Sequence, residues 1–314
     1  MQIIQSLTDL PAALRGGAVA IGNFDGVHLG HRALVAQAQR QAQRQADGAP
    51  VLAMSFEPHP RRFFMPDAPP FRLDGLAQKA RLLAQAGADA LLALPFDAAF
   101  AALGPEAFVS NVLRRDLGAA HVVVGYDFTF GKGRAGDTAA LHRLCADPQT
   151  GGGIGVSVVT AQGDAAGAFS SSRIRALLQA GEPAAANILL GRPWEIEGSV
   201  LHGDKRGRTI GFPTANVDMG DFLVPKLGVY AVRTILPDGQ VIPGVANLGL
   251  RPTFGKDKVA LEVNLFDFAG DLYGQILRVA FIGFIRPEQK FAGLDALKAQ
   301  IAADAAEARR ILAG

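Results

Sequence analysis

His28 and His31 stand three residues apart in the stretch Gly22-Asn23-Phe24-Asp25-Gly26-Val27-His28-Leu29-Gly30-His31. At the mouth of a helix that spacing can bring both rings to one side of the first turn. From there they can donate hydrogen bonds to a phosphate gaining charge in a transition state. A metal pair, or two polar turn residues, fits the bare H-x-x-H spacing as well. A second group of polar residues lies far along the chain. Gly203-Asp204-Lys205-Arg206-Gly207-Arg208-Thr209-Ile210-Gly211-Phe212-Pro213-Thr214-Ala215-Asn216 sets three glycines and three cations in one loop. Backbone N–H groups with Lys or Arg charge can wrap nucleotide phosphates there. An exposed basic hairpin is the plainer alternative. Thr214 and Asn216, two apart on an extended segment, offer neutral oxygens on one side. Mg²⁺ accepts such ligands when phosphates bring most of the charge. Glu262, on the polar face of an alternating segment, is a carboxylate able to accept an alcohol proton.

The elements that must position these groups follow from apolar runs and their punctuation. In the first half, 18–21, 51–56, 90–94, 121–125 and 154–160 read as buried strands separated by helical patterns. Asp74 can cap a helix running to Ala86, Pro105 opens another that Gly118 closes, and Asp137 caps a third ending before Pro148. Such alternation predicts a parallel sheet covered on both faces, with ligands at the carboxyl ends of its strands. The histidine turn falls at that edge. So do the loops Ser55-Phe56-Glu57-Pro58-His59-Pro60, Gly125-Tyr126-Asp127-Phe128-Thr129-Phe130-Gly131 and Phe169-Ser170-Ser171-Ser172-Arg173-Ile174-Arg175. The second brings a carboxylate among aromatics that can face a ring system; the third can cap a helix and bring an arginine to phosphate.

Beyond Gly191-Arg192-Pro193 the periodicity changes. The segments 230–235 and 240–242 flank Pro237-Asp238-Gly239, a hairpin signal, and 259–266 alternates with Leu261, Val263 and Leu265 on one face. With 276–285 they predict an antiparallel barrel, and the Ala-rich 294–312 a helix packed against it. We place the domain boundary at 186/187.

Bulk composition narrows the class without naming the chemistry. A length of 314 residues suggests two domains with a core each. The single Cys145 excludes an intrachain disulfide framework and suits a reducing cytoplasm. A formal charge of +2 argues against a broad nucleic-acid footprint. No apolar run is long enough to cross a bilayer, and the first seventeen residues lack the pattern of a secretory signal. No obligate protein partner is evident.

H-x-G-H after an apolar strand marks the nucleotidyltransferase superfamily, and the full G-N-F-D-G-V-H-L-G-H string is narrower. It resembles the N-terminal module of the bacterial bifunctional riboflavin kinase/FMN adenylyltransferases, the FAD synthetases. The loops F-E-P-H-P, G-Y-D-F-T-F-G and S-S-S-R-I-R follow that module, with Phe169, Ser172 and Asp74 departing from its usual isoleucine, threonine and threonine. The G-D-K-R-G-R-T-I-G-F-P-T-A-N string resembles the riboflavin kinase signature. So do 226–231, 244–254 and 266–274, with Asn264 where that family usually has histidine.

The resemblance implies a Rossmann-like nucleotidyltransferase domain followed by a β-barrel kinase domain with a terminal helix. It implies Mg²⁺ as cofactor and ATP, riboflavin and FMN as substrates, in the cytoplasm. His28, His31 and Glu262 would be catalytic. Gly22, Asn23, Phe24, Asp25, Gly30, Ser171, Ser172, Arg175, Gly203, Lys205, Gly211 and Phe212 would touch ATP. His59, Asp127, Phe128, Phe130 and Arg286 would meet the flavin, and Thr214 and Asn216 the metal. Two rivals are an enzyme with one live module and a flavin-binding regulator without turnover. Intact histidines, Thr214, Asn216 and Glu262 speak against both.

Overall fold

The computed structural model describes residues 1–45, 48–202, 212–253 and 256–314. The chain divides into two compact units, 1–68 with 76–169, and 69–75 with 170–314.

The first unit is built on a six-stranded, all-parallel sheet in the order β1-β4-β3-β2-β5-β6. Its strands are β1 Gln2–Ile4, β2 Ala18–Ile21, β3 Val51–Glu57, β4 Ala90–Pro95, β5 His121–Gly125 and β6 Gly155–Val159. The five strands expected from apolar runs are present. β1 was not anticipated: three residues, two of them exposed, form it by pairing with β4. Alternation sends successive side chains to opposite faces, so one sheet carries two cores. Val19, Ile21, Leu52, Met54, Leu92 and Val122 face one. Ala18, Ala20, Ala53, Leu91 and Val123 face the other, under α1 (Leu29–Gln45) and α3 (Leu76–Gln85). Between these helices in sequence lies the single-turn α2 (Pro60–Phe64).

After β4 come α4 (Ala98–Ala101) and α5 (Pro105–Ala107), the latter opening at Pro105 as expected. The chain continues as wider π-type turns through Phe108–Asp116, where an ordinary helix was anticipated. α6 (Thr138–Ala146) starts at Asp137, whose carboxylate accepts from the Ala140 N–H at 2.7 Å. Cys145 is buried there in the core. A small hairpin, β7 (Gly163–Asp164) and β8 (Gly167–Ala168), ends the unit.

The second unit opens with α7 (Ser171–Ala180), capped by the Ser170 hydroxyl, and α8 (Pro183–Leu190). The expected boundary at 186/187 falls within α8. Six strands then close a barrel in the order β10-β13-β12-β11-β14-β9. They are β9 Trp194–Leu201, β10 Ala215–Val217, β11 Gly228–Ile235, β12 Val241–Thr253, β13 Lys256–Leu265 and β14 Ile276–Arg286. The β11/β12 pairing runs to Ile235↔Val241 across the anticipated turn. Leu261, Val263 and Leu265 are buried, as their alternation requires. α9 (Leu294–Ala313) lays Ala305 and Ala308 on Val229, Ala231, Val245 and Phe266 of the barrel.

Residues 69–75 belong to this unit by hydrogen bonding. The Arg72 carbonyl accepts from the Leu223 N–H at 2.8 Å, and the Leu73 carbonyl from the buried Trp194 indole at 2.8 Å.

Candidate active sites

In the first unit, strand order decides where chemistry can sit. From β2 the chain builds outward through β3 and β4 on one side and through β5 and β6 on the other. The carboxyl end of β2 is therefore the switch point of the sheet, where open α/β sheets bind ligands. Gly22 to His31 leaves β2 at that point and enters α1.

The turn is tight and buried. Phe24 and Val27 adopt φ of 48° and 40° with no exposed surface. A buried valine in the left-handed region costs about 1–3 kcal/mol, and such strain persists only where surroundings over-determine it. The Asn23 carbonyl is held twice, by the Ser55 hydroxyl of β3 at 3.0 Å and by Lys79 Nζ of α3 at 2.9 Å. The Gly22 N–H donates to the Met54 carbonyl at 3.1 Å.

His28 and His31 stack with ring centroids 3.7 Å apart, and Phe24 meets His31 edge-on. Gly30 permits this, since a Cβ there would lie 3.1 Å from the His28 ring. His28 Nδ1 accepts from the His31 backbone N–H at 3.3 Å, which leaves its proton on Nε2 as a donor. His31 Nδ1 is buried with no hydrogen-bond partner. Burial depresses the His28 pKa to about 4, against a smaller upward pull from Asp25. His31 is depressed well below 6.5 by burial, then by His28, then by the Lys79 charge. At neutral pH both rings are uncharged, and each carries one ring N–H able to donate a hydrogen bond to an anion.

The other expected first-unit residues lie on neighbouring loops. His59 caps α2, its Nδ1 accepting from the Arg61 N–H at 3.0 Å. Phe128 and Phe130 stack at 5.5 Å, with Phe128 half-buried and Phe130 inside the core. Asp127 is exposed. Phe63, Phe64 and Phe96 meet edge-to-face, Phe100 packs tilted on Phe96, and the run reaches the surface at Phe64. Ser171, Ser172 and Arg175 stand on α7 of the second unit, where Arg175 Nε donates to the Phe71 carbonyl at 2.8 Å.

In the second unit, register does the assembling. Glu262 on β13 pairs with Asn216 on β10 and with Asn247 on β12, so three polar residues form one row across adjacent strands. Directly opposed residues share a face. Leu261 and Val263, on either side of Glu262, point into the core. Thr214 and Phe212 are half-buried just before β10. Asn264 donates to the Pro213 carbonyl at 2.7 Å, steadying the backbone next to Thr214. Gly203, Lys205 and Gly211 lie outside the described residues. The His202 ring stacks on Tyr273 at 4.1 Å.

Arg286 is held by the terminal helix. Its guanidinium donates to Asp304 at 2.7–3.1 Å and to the Pro287 carbonyl, and it lies over the Phe291 ring. No group of three metal-ligating His, Cys, Asp or Glu side chains occurs among the described residues. Neutral oxygens beside a single carboxylate still suit Mg²⁺ arriving with phosphates.

Sequence reasoning passed over Lys79 and Ser55, which hold the histidine turn, and assigned no role to Asn247. Ser55 and Asn247 lie in quoted motifs, but nothing in a helical lysine announces burial.

The FAD synthetase family model matches residues 10–173, and the riboflavin kinase family model matches 190–312. The chain belongs to the family of bifunctional riboflavin kinase/FMN adenylyltransferases. It is 43% identical to the protein of that name from Escherichia coli K12, over 98% of this chain and 97% of that one. The Pseudomonas fluorescens protein of the same name is 43% identical over 100% and 98%. A solved structure described as a macrolide-efflux protein from Streptococcus pneumoniae superposes with a TM-score of 0.84. It is 32% identical, and the match covers 96% of each chain. Among the described residues no helix is long and apolar enough to cross a membrane.

Proposed function

We propose that this chain makes FAD in two steps, phosphorylating riboflavin to FMN with ATP and adenylylating FMN to FAD with release of pyrophosphate. Each unit holds its own set of reactive groups, and that observation carries the reading: uncharged stacked histidines at the sheet's switch point, and the Asn216–Glu262 pair on the barrel. Residues 1–186 are assigned to adenylylation and 187–314 to the kinase. A cytoplasmic enzyme fits the lone buried cysteine.

In adenylylation the FMN phosphate attacks the α-phosphate of ATP, so no protein nucleophile is needed. His28 Nε2–H and His31 donate to the phosphate as negative charge builds. Gly22, Asn23, Phe24, Asp25 and Gly30 line the turn against the nucleotide, with Ser171, Ser172 and Arg175 as further ATP residues. His59, Asp127 and Phe128 serve the flavin, and Phe130 braces Phe128 from the core. In the kinase step Glu262 accepts the proton of the riboflavin hydroxyl. Thr214 and Asn216 would hold Mg²⁺, which neutralises the ATP phosphates. Gly203, Lys205, Gly211 and Phe212 are the ATP residues there. Arg286 turns toward the flavin the N–H groups that Asp304 and Pro287 leave over.

The deciding experiment incubates the protein with riboflavin, ATP and Mg²⁺ and separates the flavins by chromatography. FAD is expected. FMN alone would mean a dead first module, and unchanged riboflavin would mean a binder. His28→Ala or His31→Ala is expected to stop the reaction at FMN, removing about 2–4 kcal/mol of transition-state stabilisation from the second step.

A further inference from the structure

Lys79 is buried, 2% exposed, on the second turn of α3. Its ammonium donates to two neutral oxygens, the Asn23 carbonyl at 2.9 Å and the Ser55 hydroxyl at 3.4 Å. No carboxylate lies within ion-pairing distance of it among the described residues. A buried ammonium without a counter-charge is costly, and proteins normally pair it. Three N–H donors serve only two acceptors, one of them at long range.

The surroundings account for the exception. Asn23 begins the turn in which Phe24 and Val27 take left-handed backbone, and its carbonyl is the point where β3 and α3 grip that turn. The histidine pair follows directly, and the Lys79 charge is felt at His31. A lysine so placed does two things at once. It holds the strained turn that aims the imidazoles, and it keeps positive charge next to uncharged rings.

We propose that Lys79 is a positioning residue for adenylyl transfer: with Ser55 it clamps the Asn23 carbonyl beneath the histidine turn, and the phosphates of ATP supply its missing counter-charge. The proposal rests on the reading of His28 and His31 as the adenylylation site. It assigns Lys79 to the transition state more than to ground-state binding, since the ammonium is anchored before substrate arrives.

The test uses the full chain with FMN, ATP and Mg²⁺. Lys79→Met is expected to lower adenylylation kcat by about 100-fold, the scale of losing one preorganised donor, with KM for FMN changed less than threefold. Riboflavin phosphorylation should stay at the wild-type rate, which reports an intact barrel unit, and the helical circular dichroism signal at about 222 nm should match wild type, which reports that the first unit is folded. Lys79→Ala should regain activity with propylammonium and not with 1-propanol, because the cation and not the volume is missing. Ser55→Ala, a milder change at the same carbonyl, should cost about 10-fold in kcat and keeps the test open if the lysine variants fail to fold. Wild-type kcat in Lys79→Met or in Ser55→Ala, or equal rescue by 1-propanol, overturns the proposal. FAD formation surviving His28→Ala would overturn the underlying site reading instead, whatever Lys79 does.

Discussion

At the scale of single residues, the two sites ask different things of their side chains. In the proposed mechanism Glu262 accepts a proton, and glutamine keeps its size while removing that capacity. Glu262→Gln should lower riboflavin phosphorylation by about 10²–10⁴-fold while binding of riboflavin changes little. Supplied FMN should still become FAD, because that nucleophile is already ionised. Thr214→Ala should behave otherwise, raising the Mg²⁺ requirement and recovering partly in excess metal. Separate assays of FMN and FAD formation distinguish the two. Near-normal FMN production by Glu262→Gln would leave that carboxylate as a strand-surface residue.

The histidines make a prediction about pH. His28 titrates near 4 in the folded chain and near 6.5 when unfolded. Between those values the unfolded state binds a proton that the folded state does not, so stability falls as pH drops through the window. The gap corresponds to about 3 kcal/mol, fully present above pH 6.5 and gone below about 4. Urea unfolding followed by circular dichroism at pH 7 and 4.5 measures it. His28→Gln, which cannot titrate, should make the dependence shallower and leave the contribution of His31; an unchanged slope would show that burial does not govern the His28 ring.

At the scale of elements, α9 is tied to the barrel by charge as well as by alanines. Asp304 is 5% exposed and takes the Arg286 guanidinium and the Gln300 amide. Removing it leaves the guanidinium largely buried without its carboxylate. Asp304→Ala should cost about 2–4 kcal/mol, somewhat less than for a fully buried pair because the arginine keeps some water contact. The sole tryptophan, Trp194, lies fully buried in β9, so its fluorescence follows barrel unfolding directly. Leu312 adds a further tie, its carbonyl accepting from Arg233 at 3.0 Å.

At the scale of the whole molecule, two compact units with separate cores should work apart. Residues 1–186 should adenylylate supplied FMN, and 187–314 should phosphorylate riboflavin. Starting the second piece at Ser170 should raise its melting temperature, because α7 and α8 stay with the barrel. The Lys226 N–H donates to the Leu178 carbonyl at 3.0 Å, and Asn187 bonds the Phe281 carbonyl and the Trp194 N–H. Loss of both activities on cutting would show that the halves depend on each other.

The sequence by itself determined the two architectures, because period, punctuation and motif are local properties, and motif is also what proposes the histidine turn and the Thr214, Asn216 and Glu262 set as sites. Tertiary structure decided what no local pattern encodes. It gave Gln2–Ile4 a strand partner, set β2 at the switch point, and aligned Asn247 with Asn216 and Glu262 through register. It also gave residues 69–75 to the barrel unit and buried Lys79 under Asn23, fifty-six positions away. Each depends on which distant backbone groups find each other. Hydrogen-bond pairing between elements far apart in the chain, and the burial it enforces, is a property of the assembled fold alone.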